Sequence, residues 1–127
     1  MSPTRLSKLE SAVRVVLEFT EAFNHHDLAG MASLIADDCV FESAAPVPDG
    51  AKYVGKEAVA QFWQGFFQEA PHAHLEIEEI FGLGFRCVMR WKRSWLDAAG
   101  KKSHVRGVDV FQLRNGLISE SLSYVKG

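Results

Sequence analysis

Hydrophobic positions recur at helical spacing in the first half of the chain and alternate in the second. Leu9, Val13, Val16, Leu17, Thr20 and Phe23 follow a 3.6-residue period, and Val15, Phe19 and Ala22 widen that stripe. So broad an apolar arc predicts a first helix buried against more than one surface. Ser7 with Glu10 three residues later reads as a capping box at its start, with residues 1–6 frayed. Asn24-His25-His26 closes it. Asp27 caps a short second helix with Leu28, Met31, Leu34 and Ile35 inward, ended by Asp37-Asp38. Cys39 to Ser43 reads as a first strand. Pro46, Pro48, Gly50 and Gly55 make 44–55 a loop. Val59, Phe62, Trp63, Phe66 and Phe67 predict a third helix over about 56–70, stopped by Pro71.

From His74 onward the period is two. His74–Phe81, Phe85–Leu96, Ser103–Leu113 and Leu117–Val125 read as four strands. Asp97 to Gly100 and Arg114-Asn115-Gly116 are the turns between the last three. The order helix, helix, strand, helix, then a meander of strands predicts an α+β domain with a curved antiparallel sheet that curls to cover three helices on one face. Both parities of the late strands carry apolar residues: Val88 against Met89, Val108 and Val110 against Phe111, Leu122 and Tyr124 against Val125. Only one parity can face the helices, so the outer face predicts a homodimer through the sheet.

A chain of 127 residues fits one domain, 1–127, without linker or repeat. A net charge of −2, from 14 basic and 16 acidic residues, lacks the basic footprint of a nucleic-acid binder. The basic residues Arg90, Lys92, Arg93, Lys101, Lys102 and Arg106 read as the solvated face and tips of a hairpin. Residues Met1 to Glu10 lack a signal peptide's apolar core, and no apolar run reaches a membrane span. Cys39 and Cys87 sit in apolar runs without ligand spacing, which reads as buried thiols in a reducing cytoplasm.

Several segments together resemble a known superfamily. Phe19-Thr-Glu-Ala-Phe-Asn-His-His-Asp-Leu spans the junction of the first two helices, and Ala36-Asp-Asp-Cys-Val-Phe leads into a strand. Tyr53-Val-Gly-Lys-Glu-Ala-Val opens the third helix, and Gly107-Val-Asp-Val-Phe-Gln-Leu-Arg-Asn-Gly-Leu-Ile closes the sheet. In order and spacing these resemble the nuclear-transport-factor-2-like superfamily, within it the SnoaL-like and ketosteroid-isomerase-like branch, over about residues 8–126. The resemblance implies a cone-shaped barrel with a pocket between sheet and helices, and frequent homodimers. It does not imply one activity, since similar members include isomerases, cyclases, dehydratases, epoxide hydrolases and proteins without chemistry.

Asp109 is the most informative residue. It sits between Val108 and Val110 and shares a strand face with Gly107 and Phe111. A carboxyl so flanked is costly unless paired or neutral. The resemblance places it at the oxyanion-hole acid of ketosteroid isomerases, which an apolar site keeps protonated as a hydrogen-bond donor. The alternative is a structural Asp held by Arg106, Lys92 or a backbone amide. The rest of that catalytic set is replaced. The isomerase's helix tyrosine falls on Phe19, its base aspartate on Ser43 and its supporting tyrosine on Trp63. Double-bond isomerisation by that mechanism is therefore not expected.

The expected ligand-binding residues are Phe19, Phe23, Ser43 and Tyr53 from the first half, with Trp63 and Phe67 on the third helix. Trp91 and Phe111 join them from the strands, around Asp109. A flat or polycyclic apolar molecule is the expected guest. Lesser candidates read as structural. Glu42 faces away from Phe41 and Ser43 on parity, His25-His26-Asp27 caps a helix junction, and His72 and His74 lack a third ligand. Epoxide-hydrolase-like members carry an Arg–Asp pair two apart on such a strand. Here Arg106 and Asp109 are three apart, a spacing that only a bulge at Gly107 would restore. No metal or other cofactor is expected. Three functions stay open: an enzyme acting on a carbonyl-bearing polycyclic, polyketide-like or steroid-like compound with Asp109 as acid, a non-catalytic binding domain, and a dimeric structural module.

Overall fold

The computed structural model of the chain describes residues 3–126, with side chains described from Ala12 onward. Its elements are α1 (Pro3–Asn24), α2 (Leu28–Ala32), β1 (Ile35–Glu42), β2 (Lys52–Val54), α3 (Lys56–Glu69), β3 (His74–Leu83), β4 (Arg86–Leu96), β5 (Lys102–Arg114) and β6 (Leu117–Val125). The six strands form one sheet in the order β2-β1-β6-β5-β4-β3. The fold is α+β, as the element order predicted, with the curved sheet packed against three helices.

Helix α1 starts at Pro3, ahead of the expected cap; the Ser7 and Glu10 side chains lie outside the described residues. Its C-terminus is a left-handed cap. His26 has φ of 53°, and the amides of His26 and Asp27 donate to the carbonyls of Phe23 and Ala22. Asp27 then accepts from the Gly30 amide at 2.9 Å and opens α2. The His25-His26-Asp27 run is thus consumed by the junction: His26 Nε2 lies 3.1 Å from the Ala73 carbonyl and its ring stacks on Phe67. Asn24 fixes α1 to the sheet. Its amide donates to the Leu75 carbonyl at 2.9 Å and accepts from the Leu75 amide at 2.7 Å.

Three departures from the expected elements have local causes. Helix α2 stops at Ala32, and Ile35 and Ala36 are buried at the start of β1 instead of lying on a helix face. Asp37 and Asp38 sit exposed at a register shift of that strand. Part of the predicted loop pairs as strand β2, whose Tyr53 lies opposite Phe41. The sheet is mixed, because β1 runs parallel to β6. Helix α3 carries the chain from that edge to the far one, and the meander then returns β6 to lie beside β1.

Within the meander, turn chemistry agrees with the sequence. Asn115 and Gly116 both have positive φ, and Gly100 closes the β4–β5 turn beneath Asp97, whose carboxylate accepts from two loop amides. The core fills the space between the sheet and helices α1 and α3. Trp91, Phe111, Ile118, Val16, Cys39 and Cys87 are its largest fully buried side chains. A second cluster of Phe23, Met31, Phe67 and Ala73 closes the end near α2.

Candidate functional site

Between the helices and the sheet lies a cavity of about 400 Å³, within the range of small-ligand sites. Aromatic rings form much of its wall: Phe62, Trp63 and Phe66 from α3, Trp91 and Trp95 from β4, Phe23 from α1 and Phe41 from β1. Asp109 lies at its inner end. There it also borders a second, water-sized space of about 30 Å³ that reaches Phe19, Thr20, Cys39 and Ser121. The two spaces share Phe23, Phe41, Trp63, Leu75 and Asp109, so they adjoin across those side chains.

Strand register explains this convergence. Asp109 lies opposite Met89 on β4 and Ser123 on β6, and Trp91 lies opposite Gly107. Side chains of one parity on three neighbouring strands therefore meet on the inner face. Gly107 leaves room for the Trp91 ring. A Cβ there would sit 2.4 Å from Trp91 Cζ2 and 2.5 Å from the Tyr124 carbonyl oxygen.

Asp109 Oδ1 and Trp91 Nε1 are both sealed from solvent, and neither has a hydrogen bond of good geometry. Burial pushes the Asp109 carboxyl up from 3.8 to about 6. The nearby Ser123 hydroxyl, the Trp91 indole N–H and, at longer range, Arg93 pull it the other way without cancelling the burial cost. No cation lies within ion-pair distance of Asp109 among the described residues. The expected partners are elsewhere. Arg106 faces outward and pairs with Glu78 at 3.3 Å, and Lys92 shares that outward parity. The ladder is unbroken at Gly107, so no bulge brings Arg106 to the side of Asp109.

Of the other expected site residues, Phe19 and Phe111 border the inner space, Trp91 the outer cavity, and Phe23 and Trp63 both. Ser43 borders the outer cavity, but its hydroxyl is committed to the loop. It donates to the Ala45 carbonyl at 2.7 Å and accepts from the Ala51 amide at 3.1 Å. Tyr53 and Phe67 line neither space. Tyr53 is held between Phe41 and Phe62, and Phe67 belongs to the second core cluster, so both serve packing. Glu42 lies in register with Lys52 and Leu122 and stays away from the cavity, as parity predicted.

The residue that sequence reasoning missed is Arg93. It was assigned to the solvated hairpin face, yet it shares parity with Met89, Trp91 and Trp95 and lines the cavity. That alternation was the available signal; the charge masked it. Its guanidinium carbon lies 4.9 Å from the Phe66 ring centre, 5.4 Å from that of Trp91 and 5.8 Å from that of Trp95.

The SnoaL-like domain matches residues 16–121. The chain belongs to the SnoaL-like family. Solved structures agree with this. An NTF2-like protein of unknown function from Mesorhizobium loti is 35% identical, with a TM-score of 0.81 over 94% of each chain. A candidate ketosteroid isomerase from Kribbella flavida has a TM-score of 0.81 at 14% identity, over 94% of this chain and 81% of its own. A candidate polyketide cyclase from Xanthomonas campestris has a TM-score of 0.77 at 20% identity, over 94% and 93%. The last two likenesses concern the fold. A search of curated proteins found no match. No described helix of this SnoaL-like chain is long and apolar enough to cross a membrane. Among its described residues no three His, Cys, Asp or Glu side chains stand together as a metal site.

Proposed function

We propose that this SnoaL-like chain binds a flat, largely apolar carbonyl compound of polyketide or steroid type in the aromatic cavity, with Asp109 as the group that donates a hydrogen bond or a proton to its carbonyl oxygen. One observation carries the reading: a cavity of about 400 Å³ with aromatic walls ends on a carboxyl whose Oδ1 is sealed and unsatisfied. A buried acceptor left so costs free energy until something fills the site, which suits a ligand oxygen. The candidate isomerase and cyclase of the same fold are consistent with such a guest.

Asp109 and Arg93 are the charged side chains among the lining residues. Cys39, the other titratable one, stays neutral because burial pushes its thiol up to about 11. With the Ser43 hydroxyl tied to its loop, Asp109 is left as the single acid–base group. That favours, as a second reading, a domain that binds its ligand without turning it over. Cys39 and Cys87 are buried free thiols, which supports a reducing, cytoplasmic setting.

The test uses a neutral aromatic ketone, 2-acetonaphthone, followed by quenching of the cavity tryptophans. Below about pH 6 Asp109 is protonated and donates; above it the carboxylate repels a carbonyl oxygen. Affinity is expected to fall by about tenfold from pH 5 to pH 8. In Asp109→Asn, whose amide donates at every pH, the dependence is expected to vanish while binding persists. Absence of binding, or an unchanged pH dependence in Asp109→Asn, would count against the proposal. Deuterium exchange into the ketone's methyl group, catalysed by the protein and lost in Asp109→Asn, separates the enzyme from the carrier.

The reading includes a homodimer through the outer face of the sheet. Phe81, Val88, Val110 and Leu122 lie side by side across four strands, with Val108 and Tyr124 in the adjoining row. Phe81 and Tyr124 are 51% and 54% exposed in the single chain, too much aromatic surface to leave against water without cost. The charges beside them are paired within the chain, Arg86 with Glu120 and Arg90 with Glu79. Sedimentation at micromolar concentration is expected to give a dimer, and Val110→Glu a monomer. A monomeric native protein would refute this arrangement.

A further inference from the structure

Arg93 is a cation set beside three rings, with its hydrogen-bond donors unengaged among the described residues. Three rings, Phe66, Trp91 and Trp95, lie within 6 Å of its guanidinium carbon. Contact with these rings helps to hold the group in place but supplies no acceptor for its five N–H donors. No described carboxylate lies within 4 Å of it, and it makes no hydrogen bond with the described residues, although it is partly buried in the wall of the cavity. Elsewhere on this sheet the arginines are paired: Arg86, Arg90, Arg106 and Arg114 each reach a carboxylate. Arg93 thus stands apart in being a caged, desolvated cation turned toward empty volume.

Asp109 faces the same volume from β5, and its charge acts on Arg93 only at a distance, without a direct ion pair. The two groups polarise the site. An acidic oxygen is favoured beside Arg93 and disfavoured beside an ionised Asp109, whose end takes a hydroxyl donor instead. We infer that the ligand of this cavity is a flat aromatic or polycyclic acid, whose carboxylate, enolate or phenolate oxygens pair edge-on with Arg93 while its apolar body fills the aromatic walls toward Asp109. This rests on the ligand-binding reading above and narrows it from carbonyl compounds in general to acidic ones. Charge-assisted, in-plane pairing with a planar oxyanion is what a guanidinium with unengaged N–H donors offers.

The experiment compares 2-naphthoate with its neutral methyl ester near pH 8, where both the probe acid and Asp109 are ionised. Tryptophan quenching reads the dissociation constants. The acid is expected to bind about tenfold tighter than the ester. In Arg93→Gln the preference for the acid over the ester should disappear. Arg93→Lys should keep part of the preference, since the charge remains but the fork is lost. Raised salt should weaken the acid alone. An acid no tighter than the ester, or an Arg93→Gln variant that loses both probes equally with an intact circular dichroism spectrum, would overturn the inference and leave the ligand-binding reading standing. Failure of every aromatic probe, acid, ester and ketone, would overturn both. Should Arg93→Gln not fold, the salt and Arg93→Lys arms decide on the native fold.

Discussion

Asp109→Asn is expected to make the protein more stable at pH 8 and to flatten its stability between pH 4 and pH 6. The carboxyl stands at about 6 in the folded chain and at 3.8 when unfolded, because burial disfavours its charged form. The folded state therefore holds its proton over a window in which the unfolded state has released it. Stability is complete below about pH 4, falls as pH rises through about 6, and is then lower by about 3 kcal/mol. The slope is negative because the native state binds more protons than the unfolded one. An amide removes the titration and with it the desolvation of a charge. Thermal melts of Asp109→Asn at pH 8 should rise by about 5–10 °C over the native protein, with little difference at pH 4. The opposite outcome, a loss of several kcal/mol at pH 8, would mean that Asp109 is clasped by a buried cation whose charge the substitution strands. A gain in stability joined to a loss of pH-dependent binding is the pattern of a group kept for function at the expense of the fold.

Gly107→Ala is expected to cost about 3 kcal/mol or more, a large effect for one methyl group. The cause is space, since the added Cβ would overlap both the Trp91 ring and the Tyr124 backbone oxygen. Trp91 is 2% exposed and packed in the core, so its ring yields only by shifting toward the cavity that it lines. The Tyr124 oxygen belongs to the β5–β6 pairing and moves only if the strands part. Either adjustment displaces the indole N–H from the neighbourhood of Asp109 and alters the wall beside Arg93. The urea midpoint should fall, tryptophan emission should shift to longer wavelength, and the naphthyl probes should lose affinity together. A change below about 1 kcal/mol with unaltered emission would show that the sheet absorbs the methyl group.

Much of the site could be read in advance. Placing Asp109 with Phe111 on one strand face needed only the period of two. The same period carried Trp91 inward and Glu42 outward. The same rule also placed Arg93 inward, yet its charge and its position near a hairpin tip argued for solvent. Three aromatic rings from two elements are what make its buried seat tolerable, and one of them, Phe66, comes from α3. Tyr53 and Phe67 were misplaced for the converse reason. An aromatic residue near a cavity in sequence can still face a neighbouring ring or a separate core cluster, and only the packing of α3 decides which.

The sequence by itself determined the elements that depend on neighbours along the chain. Helix α3 follows from its apolar spacing, the Asn115-Gly116 turn from two residues that tolerate positive φ, and the inward and outward faces of β4 to β6 from alternation. Only the tertiary structure decided whatever depends on distant partners. The parallel pairing of β1 with β6 joins strands about eighty residues apart, and β2 exists because Tyr53 meets Phe41 there. The sealing of Asp109, the seat of Trp91 on Gly107 and the aromatic cage of Arg93 likewise depend on register between strands and on the packing of α3. Periodicity fixes which way a side chain points; which groups then share a low-dielectric space, and so acquire a shifted proton affinity or an unmet charge, is set by the three-dimensional meeting of those directions.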